Sequence, residues 1–162
     1  MSAKSSRRTL LMLFLVGPFL LTSPLFGQSA DDGITVEYDR MWADYDVTQG
    51  NETGILFHVT FSVQHMKGVS GHVAYGFEKE NGDRLYTSNS SYVSTNGQLT
   101  VYREIQPSYE NTTYEDLQVF IPYREITVGE GSHDLRVHVD VIYGDGGNVH
   151  LTYYSFPFTR TF

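Results

Sequence analysis

Residues 55–65 read Ile-Leu-Phe-His-Val-Thr-Phe-Ser-Val-Gln-His, and no other stretch narrows the possible folds as much. Ile55, Phe57, Val59, Phe61 and Val63 take alternate positions, with His58, Thr60, Ser62 and Gln64 between them. A period of two places successive side chains on opposite faces of an extended chain. The segment is therefore a strand with one dry face and one polar face, and the dry face needs a second layer to cover it.

The same alternation recurs. Leu135, Val137, Val139, Val141 and Tyr143 share one face, while Arg136, His138, Asp140 and Ile142 share the other; Leu99, Val101 and Ile105 oppose Thr100, Tyr102 and Glu104. Further strands are expected over 34–42, 72–78, 84–87, 116–123 and 149–158. Turn signals separate them at 49–54, Asn81-Gly82-Asp83, Asn96-Gly97, Gly129-Glu130-Gly131 and 144–148. Asn-Gly and Asp-Gly pairs supply the positive φ that tight hairpins need. No helical period appears beyond residue 30, which excludes the crossovers of a parallel βαβ fold. The expected fold is all-β, an antiparallel β-sandwich of about eight strands, immunoglobulin-like. Pro122 and Pro157 fall inside expected strands and so mark edge strands or bulges.

Residues 1–30 read differently. Lys4, Arg7 and Arg8 precede an apolar run from Leu10 to Leu21, interrupted by Gly17-Pro18 and followed by small residues. This is the pattern of a secretory signal peptide, too short for the roughly 20 apolar residues of a membrane span. Cleavage is expected after Gly27, Ser29 or Ala30, and the Arg7-Arg8 pair leaves twin-arginine export open beside the general route. The expected organisation is a signal peptide over 1–30 and a single sandwich domain over 31–162, with a periplasmic, secreted or cell-surface location. Loss of the leader removes three of 11 basic residues and none of 19 acidic ones, leaving 8 against 19, a net charge of −11. Nucleic acid is not an expected partner, because a phosphate backbone needs a basic stripe, and membrane association is not expected once the leader is gone. The chain has no cysteine, which removes thiol catalysis, thioether haem attachment and Cys-ligated zinc, and leaves the domain to fold without disulfides.

Three stretches carry a family resemblance: GILFHVTFSVQHMKGVSGHVAYGF, NGQLTVYREIQPSYENTTYEDLQVFIPYREI and SHDLRVHVDVIY. With Met66-Lys67-Gly68, Pro107-Ser-Tyr-Glu110 and Phe120-Ile-Pro-Tyr-Arg-Glu125, they resemble a bacterial accessory β-sandwich module found at the end of some proteins with caspase-like peptidase domains. The resemblance runs from about Gly54 to Phe158. It implies an accessory domain and carries no catalytic residue, since the matching features are packing and turn positions.

Chemistry-bearing residues are sparse. Arg136, His138 and Asp140 share a face, and His58 lies on the polar face of its own strand; as neighbours these strands would bring two imidazoles and a carboxylate to one metal. With no HExxH or His-x-His pair, no metal and no cofactor is expected. Asp31, Asp32, Asp44, Asp46 and Asp145 are loop carboxylates of the kind that gather calcium, but 44–50 departs from the EF-hand template. No GxSxG elbow is present, and no pair of carboxylates is set for glycoside hydrolysis. Catalysis is not expected.

Aromatic content is the least ordinary feature, with 12 tyrosines and one tryptophan. Tyr offers amphipathic contact area at low entropic cost, so Trp42, Tyr45, Tyr92, Tyr102, Tyr109 and Tyr154 are the candidate ligand-binding residues. The expectation is an exported, non-catalytic module that contacts a protein or cell-surface component, with carbohydrate binding through an exposed aromatic row as the alternative. A rival fold comes from the ending YYSFPFTRTF: a terminal aromatic on an alternating strand suits a small outer-membrane barrel of eight strands. Several strands are short for that role, and Arg160 interrupts the lipid-facing series.

Overall fold

The computed structural model describes residues 33–144 and 146–160; the leader, Asp31, Asp32, Asp145 and the last two residues lie outside it. Seven strands follow in order: β1 (Thr35–Gln49), β2 (Glu52–Gln64), β3 (Gly71–Lys79), β4 (Thr100–Ile105), β5 (Asn111–Pro122), β6 (Gly131–Tyr143) and β7 (Gly147–Arg160). A 3-10 turn, Tyr123–Glu125, follows β5. The strands form two antiparallel sheets, β1-β2-β5 (sheet A) and β4-β3-β6-β7 (sheet B). This is an all-β sandwich with the strand order of an immunoglobulin-like fold, in which the fourth strand sits on the larger sheet.

The dry faces meet each other. Ile55, Phe57, Val59, Phe61 and Val63 on β2 are buried against Val73, Tyr75 and Phe77 on β3 and Leu135, Val137, Val139 and Val141 on β6 in one core. Phe57 anchors it, with ring centroids 5.7 Å from Phe77 and 5.3 Å from Phe156 in tilted and edge-on contact, the geometries that aromatic quadrupoles prefer. The barrel alternative is therefore overturned: two separate sheets stack with their apolar faces inward and do not close into a ring.

The strand expected over 84–87 does not form. Residues 80–99 form a long connection held by isolated bridges, Glu78 to Arg84 and Tyr86 to Gln98. Asn81, Asn89 and Asn96 each accept, through their side-chain oxygens, the backbone N–H two residues on. Such Asx turns compete with a continuing ladder. Two strands are longer than their alternation suggested, β1 running to Gln49 and β5 beginning at Asn111. Pro122 and Pro157 both lie on edge strands. At the start of β2, Gly54 faces Ile121 so closely that a Cβ would stand 2.1 Å from the Ile121 carbonyl oxygen.

Candidate functional site

On one open side of the sandwich the edge strands β1 and β7 approach each other, and the 3-10 turn after β5 closes the end between them. A cleft of about 410 Å³ lies there. Tyr45 and Asp46 come from β1, Tyr123 and Arg124 from the turn, and Phe158 and Arg160 from the end of β7.

Each wall has a local cause. The β1–β2 register shifts between Asp44 and Val47, and Asp46 adopts a left-handed φ of 57°. This bulge re-aims the strand, as bulges at sheet edges do. It is pinned from outside: the Tyr123 hydroxyl donates to Asp46 Oδ1 at 3.0 Å and accepts from the Asp46 N–H at 2.9 Å. Arg124 is fixed by Glu52 at 2.7 Å and by Glu125 at 3.3 Å. Glu125 is buried and also accepts a 2.8 Å bond from Asn89, so the 80–99 connection is tied to the same turn. Arg160 Nη1 donates to the Ile126 carbonyl at 2.8 Å.

Aromatic contacts back the cleft. Tyr123 packs on Phe158 at 5.8 Å, and Tyr154 reaches Phe57 edge-on at 6.1 Å. Burial, followed by the neighbouring phenols Tyr154 and Tyr123, pushes the Tyr45 hydroxyl above its ordinary pKa; burial also raises Tyr123. These phenols stay protonated and act as donors and contact surface. A second cavity, about 540 Å³, opens at the other end of sheet B beside His72, Glu104 and Tyr143. It presents one phenol and no guanidinium, so it has fewer ways to orient a ligand.

Two histidine clusters occupy the outer faces. On sheet A, His58 is 6 % exposed. Its Nδ1 lies 2.7 Å from Asp116 Oδ1 and its Nε2 3.3 Å from Asp44 Oδ2, while Trp42 stacks on the ring at 4.7 Å and 12°. Arg40 lies over Trp42 at 5.2 Å, and Gln118 donates to the other Asp116 oxygen at 2.6 Å. The His58 bond is the main reason the Asp116 carboxyl titrates below its usual range. On sheet B, buried Glu78 pairs with Arg136, His138 lies between Glu78 and Asp140 at 3.7 and 3.8 Å, and His150 reaches Asp140 at 2.8 Å. Tyr153 lies alongside, 4.7 Å from Arg136 and 4.5 Å from the His150 ring.

The imagined meeting of His58 with His138 and Asp140 does not form. β2 and β6 belong to different sheets, and the three side chains point outward on opposite sides of the core. Asp44 and Asp46 likewise serve His58 and Tyr123. Among the described residues no group of three or more His, Cys, Asp or Glu is set to hold a metal ion, and no Ser or Thr hydroxyl is hydrogen-bonded to His58 or His150. Tyr75 is fully buried, its hydroxyl has no hydrogen-bond partner among these residues, and burial drives its pKa far upward.

The six aromatic candidates do not make one row. Tyr45 and Tyr154 come together beside the cleft. Trp42 lies on the outer face of sheet A, its ring engaged by His58 and Arg40. Tyr102 is on the outer face of sheet B, edge-on to His72. Tyr92 packs on the core from the 80–99 connection, and Tyr109 stands 73 % exposed between β4 and β5. Sequence reasoning missed Tyr123, Arg124 and Phe158. Pro122 was the available signal, because a proline that ends an edge strand places the next residues at the rim of the sandwich.

Comparison with protein families, with curated proteins and with solved structures finds no match.

Proposed function

We propose that this protein is an exported, non-catalytic binding module that holds a protein or cell-surface component in the cleft between β1 and β7. The observation that carries the reading is the cleft itself, where Tyr45, Tyr123 and Phe158 stand between Arg124 and Arg160. Tyr and Arg are the residues most enriched where binding energy concentrates, since both bring contact area together with directed hydrogen bonds. The cleft falls within the range of ordinary ligand sites, several hundred Å³. Neither histidine–aspartate pair presents a hydroxyl nucleophile, which supports binding over chemistry, and the leader sequence supports export.

A photo-crosslinking residue at position 45 tests this in the native envelope. The expected result is a discrete adduct from position 45 and none from Tyr109, which is more exposed but does not line this cleft. Equal labelling from both positions would remove the cleft from consideration. Aromatic rings flanked by guanidinium and carboxylate groups also suit a sugar, and this alternative predicts glycan binding that is lost in Tyr45→Ala and kept in Tyr102→Ala.

A further inference from the structure

We propose that one proton held between His58 and Asp44 braces the β1 bulge against β2 and thereby steadies the wall of the cleft. Asp116 can only accept from His58, so Nδ1 carries a hydrogen; the second Asp116 oxygen is occupied by Gln118. Nε2 is then the open question. It is buried, with no hydrogen-bond partner of good geometry, yet Asp44 Oδ2 lies 3.3 Å away. A bare lone pair there would face a carboxylate oxygen, two acceptors in repulsion with no water between them. A proton on Nε2 turns that contact into a charge-assisted bond to the Asp44 carboxylate.

The nearest charged groups favour the proton, while Arg40 and burial of the ring oppose it. β1 contributes Asp44, with Arg40 one step removed behind Trp42; β5 contributes Asp116 and neutral Gln118, with Glu115 beside them in the chain; the core side of β2 is apolar. Two near carboxylates outweigh one guanidinium reached through a ring.

The consequence lies in β1. Of its 15 residues only Met41 is fully buried, with Val36 and Ala43 packed partly against the core, so β1 is held mainly by its ladder to β2. Asp44 immediately precedes Tyr45 and Asp46, the two β1 residues of the cleft, inside the bulge. Losing the proton sets Asp44 against the imidazole lone pair and leaves the bulge held by Tyr123 alone. His58 is thus a positioning residue. Its effect on ligand binding rests on the function proposed above, but the proton does not.

Trp42 is the chain's single tryptophan and stacks on His58, so its emission reports the ring. In the purified protein a titration from about pH 4 to 10 spans imidazole ionisation. The expected result is a one-proton rise in emission, matched by loss of the doubly protonated ¹⁵N signature of the pair and by faster amide exchange at 44–47. Asp44→Asn, at a largely exposed position, should move the step lower by about 1 pH unit, and His58→Gln should abolish it. A flat profile in the unaltered protein, or a step indifferent to Asp44→Asn, overturns the inference. No ligand is involved, so a step without a cleft partner sinks only the proposed function, and a partner without a step sinks only the proton.

Discussion

The two outer faces of the sandwich use the same residue types for different ends. On sheet A an imidazole is buried between two mostly exposed carboxylates and capped by an indole. On sheet B the buried partner is the acid: Glu78 is 6 % exposed, and from it a row of charge runs outward through Arg136, His138 and Asp140 to half-exposed His150. The difference is where desolvation falls. A buried carboxylate needs a permanent counter-charge, which Arg supplies at any working pH. A buried imidazole can shed its charge. The sheet B row is anchored by a permanent ion pair, whereas the sheet A cluster is built round an imidazole.

Substitutions can break or sharpen that contrast. The largest effect is expected from Arg136→Ala, which strands Glu78 away from water; a loss of about 3 kcal/mol in urea unfolding follows from breaking a buried pair on one side. A value below 1 kcal/mol would mean that His138 replaces the lost charge. Next comes His58→Gln, about 1–2 kcal/mol for a part-buried charge-assisted bond, measured near pH 6.

Asp116 sharpens the comparison on the acid side. Its folded pKa is depressed by the His58 bond, so its contribution to stability is present above the unfolded value near 3.9 and lost as pH falls through the lower folded value. The urea midpoint of Asp116→Asn should therefore be flatter than that of the parent below about pH 4. An unchanged acid slope would show that this carboxylate carries no linkage. The smallest effect is expected from His150→Ala, under about 0.5 kcal/mol and smaller still in high salt, because exposed pairs are weakly coupled and screened. A larger loss would place the anchor of the row at the wrong end.

The inner faces were legible because burial writes a period of two into β2 and β6. The ends of β1 and β5 were not. Asp44–Gln49 and Asn111–Glu115 lie on sheet edges, where only one neighbour and little core constrain side-chain choice, so polar residues replace the alternation. Residues 84–87 misled for the opposite reason: Leu85 is a core residue in a short segment of isolated bridges, cut off on either side by the Asx turns at Asn81 and Asn89. The His58 clasp joins positions 58 apart in sequence and depends on β5 pairing with β2. Spacing cannot show that. Of the cleft, only Tyr45 and its neighbour Tyr154 were anticipated.

Alternation also leaves an ambiguity that Gly54 resolves. Sliding β2 along β5 by two residues keeps every apolar side chain facing inward, so the core alone discriminates poorly between such alignments. Where Gly54 meets the Ile121 carbonyl there is no room for a Cβ, and either shifted alignment would bring Glu52 or Leu56 to that point. A missing side chain thus acts as the index mark that lines up sheet A, and with it the partnership of His58 and Asp116.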